Sequence, residues 1–366
     1  MGEQTGAMED LVMNTTFWQD KKVFITGHTG FKGGWLSLWL HSLNAKVTGF
    51  ALPPPTEPSL FSLANIENKL TSITGDIRDF SAVKQAMLDC QPDIIFHMAA
   101  QPIVRYSYHN PIETYATNVM GTVNVLEAAR QTGFCKAFVN ITSDKCYENK
   151  EWHWGYREED RLGGHDPYSN SKACAELVTS AFRNSYCQSA SQQFACGIAS
   201  VRAGNVIGGG DWAEDRLIPD VMRGIFKNSP ITLRYPQALR PWQHVLEPLL
   251  GYLQLAEKLF SDPHQYAEAW NFGPNEQDVR PVGWVVNYLL KLWDEKLSWH
   301  QDPNTNPHEA SLLKLESAKA KKELRWHPRW NLEKALEITL DWYRSYHAGH
   351  DMYEKTLSQI YHYTNS

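Results

Sequence analysis

A chain of 366 residues is long enough for one large domain or two smaller ones with an ample core. Its formal net charge of -6 and pI near 6.2 leave no basic footprint for nucleic acid or an anionic membrane, so a polyanionic ligand must be met by a few local arginines. The six cysteines are scattered without Cys-x-x-Cys spacing, as expected of reduced thiols in the cytoplasm, and no metal site is implied. No apolar run approaches a membrane span, and residues 1–19 read as an N-terminal extension without a signal pattern.

The first clear strand is the β-branched run Lys22-Val23-Phe24-Ile25-Thr26. Gly27, Gly30 and Gly33 follow at G-x-x-G-x-x-G spacing, and a helical pattern runs from Trp35 to Leu43. Strand, glycine turn and helix together predict a dinucleotide site, because a Cβ would hold the backbone off a pyrophosphate that the helix N-terminus attracts. Phe31 sits in the same turn; His28 and Lys32 either touch the pyrophosphate or point to water. A second strand, Lys46 to Phe50, ends in Ala51-Leu52-Pro53-Pro54-Pro55 rather than in the acid that customarily holds the adenosine ribose. No Lys or Arg stands between Lys46 and Lys69 to pair with a 2′-phosphate, which favours NAD over NADP.

Gly75-Asp76-Ile77 closes the next apolar segment, with Asp76 placed to accept from an adenine amino group. Asp93 to His97 is a buried strand, and the small residues of Met98-Ala99-Ala100-Gln101 would let a ring lie on the backbone. A long helix from Pro111 to Thr132 bears Asn118, a further candidate for the cofactor site. Lys136 to Ile141 is a fifth strand, whose end delivers Thr142-Ser143-Asp144-Lys145. In an open parallel sheet, ligands bind beyond the carboxyl ends of the strands, so this quartet belongs beside the cofactor. Tyr168 and Lys172 are one helical turn apart, the spacing at which a cation brings a phenol's pKa down towards neutrality.

Gly27-x-x-Gly30-x-x-Gly33, Asp76-Ile77, His97-Met98-Ala99-Ala100, Ser143 and Tyr168-x-x-x-Lys172 together resemble the extended short-chain dehydrogenase/reductase family. The Ser/Thr-Asp pair after the fifth strand resembles the 4,6-dehydratases of nucleotide sugars, although Lys145 stands where a Glu is common. Asp144-Lys145-Cys146-Tyr147-Glu148-Asn149, with Arg240-Pro241-Trp242-Gln243-His244-Val245 downstream, is similar to the branch acting on CDP-D-glucose. The resemblance implies a doubly wound parallel sheet with a smaller, mostly helical C-terminal substrate lobe, and a homodimer through the helices Pro111–Thr132 and Pro167–Tyr186. It also implies C4 oxidation by NAD, with Tyr168 as base, Lys172 lowering its pKa, and Ser143 or Thr142 holding the same oxygen. Lys145 would then remove the C5 proton and Asp144, kept protonated by burial, would serve the departing 6-hydroxyl. The base is assigned by resemblance alone.

A helix past Tyr168 runs to about Tyr186, and a strand from Gln193 to Val201 delivers Arg202-Ala203-Gly204-Asn205. Asn205, Arg216 and Arg240 are candidates for the substrate diphosphate, with Arg105, Arg234, Gln101 and His244 on the same side. Residues 20–205 are read as the cofactor domain, and 206–240 with 263–366 as the substrate lobe, part of 240–262 packing back. The insertion Glu148–Gly164 reads as a packed loop, and Asn271-Phe272-Gly273-Pro274 as a turn. Two rivals stay open: a 4-epimerase or reductase with no use for Asp144 and Lys145, and a non-catalytic NAD-binding homologue.

Overall fold

The computed structural model describes residues 14–187, 194–293, 297–304 and 310–366. The strands β1 (Lys22–Thr26), β2 (Lys46–Ala51), β3 (Thr71–Thr74), β4 (Ile94–His97), β5 (Ala137–Ile141), β6 (Gly197–Ala203) and β7 (Ala269–Phe272) form one sheet. Their order is β3-β2-β1-β4-β5-β6-β7, every pair parallel. Side chains alternate between faces, so Val23 and Ile25 join the layer of Trp35, Trp39 and Leu249, while Phe24 joins Val83, Met87 and Leu126. Both faces are covered, which is why the strands read as continuous apolar runs. The order reverses between β1 and β4, and the crevice opened there is where a ligand binds in such sheets.

Local chemistry fixes the crevice floor. Thr26 Oγ1 accepts from the Met98 and Ala99 amides at 3.0 and 3.1 Å, and His97 bridges Thr26 and Thr122 at 2.7 and 3.1 Å. The helix after β1 begins at Phe31 rather than Trp35, because Gly33 and Gly34 blank the apolar periodicity of its opening turn. The helix expected over 111–132 is Pro111–Tyr115, a π turn Ala116–Met120, and Gly121–Thr132. Gln193, the expected start of the next strand, lies outside the described residues; β6 begins at Gly197.

Asn271 and Phe272 are not a turn. They belong to β7, whose Trp270 and Phe272 are wholly buried against the neighbouring layer; four residues beside Gly273-Pro274 show too little periodicity to reveal a strand. Beyond β6, three short strands, Asn205–Ile207, Leu239–His244 and Val279–Pro281, form a second sheet, so the C-terminal region is not purely helical. The helix Leu246–Ser261 returns to cover the main sheet, and Leu332–His347 and Met352–Thr364 close over Trp35 and Trp39. Trp35 Nε1 donates to the Gly209 carbonyl at 2.9 Å, and truncating so buried a ring would cost about 3–5 kcal/mol. Trp18, within the stretch read as an extension, is buried and donates to Glu257 at 2.6 Å. The 148–164 insertion packs on residues 310–316 through bonds between Tyr156 and Lys314 and between Glu316 and Tyr156, at 2.9 and 2.8 Å.

Candidate active site

One cavity of about 2210 Å³ opens beyond the carboxyl ends of β1, β4, β5 and β6. Gly27, Gly30, Phe31, Lys32 and Gly33 form one end. Gly27 has φ +79°, and a Cβ on it would stand 2.8 Å from the Ala99 amide; a Cβ on Gly33 would stand 2.1 Å from the Gly27 carbonyl. Only glycine lets the chain pack this closely and present the N-terminus of the helix Phe31–Ser42 to a ligand. Asp76, Ile77, Ala99 and Ala100 line the same end, Asp76 held by a fork from Arg78 at 2.5–3.0 Å that lowers its pKa.

Two of the expected cofactor residues do not reach the cavity. His28 is wholly buried under β2, its Nε2 2.7 Å from Ser72 Oγ and its ring edge-on to Phe61. The space is provided by Gly49, where a Cβ would collide with the imidazole, and burial pushes His28 down to about 4. So His28 neither touches a pyrophosphate nor points to water. Asn118 is a brace: Oδ1 accepts from the Gln101 amide at 2.8 Å, and Nδ2 donates to the Gln101 carbonyl and Ser171 Oγ at 3.0 and 2.9 Å. Lys32 does face the cavity, its ammonium 3.5 Å from the Tyr252 hydroxyl; burial, with Arg216 and Lys172 nearby, lowers it to about 7.

The reactive quartet lies in the opposite wall. Ser143 caps the short turn Asp144–Cys146, accepting from the Lys145 amide at 3.2 Å and donating to Asp144 Oδ1 at 3.0 Å. Asp144 is 4% exposed, and burial raises its carboxyl towards the neutral form against the pull of Lys145, Ser143 and Arg240. Lys145 lines the cavity next to it. Thr142 instead spends its hydroxyl on Glu176 and the Val201 carbonyl, leaving Ser143 as the hydroxyl on offer.

Tyr168 and Lys172 project from the helix Pro167–Phe182, which starts with Pro167 at its first position and Asp166 accepting from the Ser169 amide at 2.9 Å. Both are buried cavity residues, and Lys172 Nζ donates to the Ile141 carbonyl at 3.3 Å. The expected lowering of the phenol is not realised in the protein alone. Burial dominates and lifts Tyr168 to about 12, opposed by Ser143 and Arg216, while Lys172 is itself pushed down to about 8.

On the substrate side, Gln101, Arg105, Asn205, Arg216, Arg234 and Arg240 all line the cavity. Asp215 holds Arg105 and Arg234 at 2.8 and 2.9 Å, and Asp211 holds Arg216 at 3.0 Å. His244 does not belong there. It is buried edge-on between Trp35 and Trp330, with Nδ1 accepting from the Leu246 amide at 3.3 Å. Glu176 and Arg202 form a buried pair at 2.8 Å beneath the quartet; the sequence pointed to Arg202 only as part of the segment after β6, with no role, and did not point to Glu176. Glu176 repeats the four-residue step from Tyr168 to Lys172, a signal that could have revealed it.

The chain is 54% identical over 342 residues to a CDP-glucose 4,6-dehydratase of Salmonella typhimurium, covering 93% of this chain and 95% of the relative. An epimerase of Methanothermobacter thermautotrophicus shares its fold with a TM-score of 0.77 at 22% identity, over 92% of this chain and 96% of that one. A dTDP-glucose 4,6-dehydratase of Bacillus anthracis in complex with NAD does so at 0.72 and 22% identity, over 89% and 97% of the two chains. These folds bear out the doubly wound architecture. With residues 24–339 matching its family description, the chain belongs to the GDP-mannose 4,6 dehydratase family.

Proposed function

We propose that this chain is a NAD-dependent 4,6-dehydratase converting CDP-D-glucose to CDP-4-dehydro-6-deoxy-D-glucose for deoxysugar synthesis. The observation that carries the reading is the Asp144-Lys145 pair in the cavity wall, an acid raised towards its neutral form beside an amine. An epimerase or a binding protein has no task for such a pair. The relative at 54% identity supplies the substrate.

The glycine cradle fits a dinucleotide, since any Cβ at Gly27 or Gly33 would meet backbone, and Ala99 and Ala100 leave a flat floor. NAD, when bound, accepts the hydride from C4 of the sugar and returns it to C6. Tyr168 accepts the proton of the 4-hydroxyl, and Ser143 holds the same oxygen. A phenol lifted to about 12 needs positive charge beside its anion, which Lys172 and Arg216 supply. Once C4 is a ketone, the C5 proton becomes acidic and the Lys145 amine removes it. Asp144 then delivers its proton to the departing 6-hydroxyl, a role only a carboxyl kept neutral can fill. Arg216 and Arg240, with Arg105 and Arg234, hold the diphosphate as forked donors to its oxygens.

We place a homodimer interface on the helices over 111–132 and 167–182, which leave large apolar side chains exposed: Ile112 at 85%, Leu177 at 58% and Met120 at 54%. All six cysteines are free thiols, which suits the reducing cytoplasm. Among the described residues, no helix is long and apolar enough to cross a membrane.

The test is to supply CDP-D-glucose and NAD in deuterated water. A 4-keto-6-deoxy product carrying deuterium at C5 is expected; the 4-epimer of CDP-D-glucose, with the 6-hydroxyl retained, would overturn the reading.

A further inference from the structure

Glu176 is a buried acid with no part in the steps above. It lies one helical turn beyond Lys172 and two beyond Tyr168, so the three side chains leave one face of the helix Pro167–Phe182. Its carboxylate is saturated: one oxygen accepts from Thr142 Oγ1, the other from Ser200 Oγ at 2.6 Å and from Arg202 at 2.8 Å. Arg202 continues to the Tyr147 hydroxyl at 2.7 Å, which donates to Asn271 Oδ1 at 2.9 Å. One acid thus ties the end of β5 to β6 and β7 directly beneath the Ser143-Asp144 turn.

We propose that Glu176 is a positioning residue of the reaction: its carboxylate pins Thr142, so that Ser143 and Asp144 face the cavity, and supplies the counter-charge that keeps Lys172 an ammonium beside Tyr168. The proposal rests on the reading of Tyr168 and Lys172 given above. The groups facing Lys172 are few. Tyr168 and Glu176 share its helix; Cys146 comes from the turn after β5, His97 from the end of β4, and Lys32 from the helix Phe31–Ser42. Burial keeps Cys146 a neutral thiol and His97 a neutral imidazole, and Lys32 opposes the ammonium. Glu176 is the one permanent anion among them. It stays ionised because Arg202, Ser200 and Thr142 all stabilise the charged form.

A buried ion pair can be merely structural, so the test must read chemistry rather than stability alone. Glu176→Gln keeps an oxygen for Thr142 and removes the charge. The readout is the rate of NADH formation in the first turnover with CDP-D-glucose, measured from mildly acid to alkaline pH. The wild-type rate is expected to fall as Lys172 loses its proton near pH 8, and in E176Q that fall is expected to move down by about one pH unit, with the KM for CDP-D-glucose unchanged. A fall left in place, with only a lowered melting temperature, would overturn the proposal.

Should E176Q fail to fold, E176Q/R202M removes both charges together, a change that buried pairs tolerate. A downward shift smaller than that of E176Q is expected there, because the repulsion from Arg202 goes with the attraction of Glu176, and a wild-type profile would again overturn the proposal. Thr142→Val leaves the ion pair intact and releases the turn; at least a tenfold loss of the NADH-forming rate is expected, and a wild-type rate would refute the pinning. Lys172→Met is the control on the underlying reading: if its pH profile matches the wild type, Lys172 itself has been misread, a failure distinct from that of Glu176.

Discussion

Gly33→Ala is a small change with a large expected effect. The added Cβ would stand 2.1 Å from the Gly27 carbonyl oxygen, 2.8 Å from its carbon and 2.9 Å from His28 Cα. All three are backbone atoms, so no rotamer relieves the clash. Ordinary contact begins at 3.4 Å, and 3.4 minus 2.1 leaves about 1.3 Å by which the helix start must retreat from the β1 turn. Overpacking of this kind costs about 1–3 kcal/mol, and alanine's helical preference returns about 0.5–1 kcal/mol, leaving a net loss of up to about 2.5 kcal/mol. The retreat also carries the helix N-terminus away from the pyrophosphate, weakening an attraction worth about 0.3–2 kcal/mol. Calorimetric titration with NAD, paired with urea denaturation, reads both effects. Gly30→Ala is the contrast, because its Cβ would lie 3.4 Å from the same carbonyl and the backbone there is extended. Its stability should hold. A Gly33→Ala protein that binds NAD and resists urea like the wild type would refute the packing argument.

Glu247 gives a pH prediction of definite sign. Buried in the helix Leu246–Ser261, it accepts from Tyr363 at 2.6 Å and from the Trp330 amide at 2.8 Å, and burial lifts it from 4.5 to about 7. The folded protein therefore binds more protons than the unfolded chain between those values, and stability falls as pH rises through that window, by about 3 kcal/mol in all. Urea denaturation across the window should show Glu247→Gln gaining on the wild type as pH rises; a constant difference would count against it. Ile112→Glu combined with Leu177→Glu should convert a dimer to a monomer in sedimentation, and a wild-type protein that sediments as a monomer refutes that interface.

The sequence disclosed what depends on local pattern. β1, the glycine turn, β4, β5 and the Tyr168–Lys172 helix each carry their period or special residues within a few positions. The misreadings share one cause, which is that distant neighbours decide where a polar side chain points. His28 turns inward because Gly49, on another strand, leaves it room. His244 is enclosed by Trp35 and Trp330, far apart in the chain, and Asn118 is consumed by Gln101 and Ser171. β7 is legible only once β6 is in place to pair with it. The raised phenol of Tyr168 has the same origin, since burial by the whole cavity wall outweighs the Ser143 hydroxyl and the Arg216 cation that oppose it.

The central claim is that Asp144 and Lys145 eliminate water from a ketone that Tyr168 and NAD have already made. Lys145→Ala, mixed with NAD and CDP-D-glucose in deuterated water, tests it most directly. The account predicts that NADH appears and persists, while the 6-deoxy product forms about 10²–10⁴-fold more slowly than in the wild type. Product forming at the wild-type rate with deuterium still entering C5, or no NADH at any time, would contradict it.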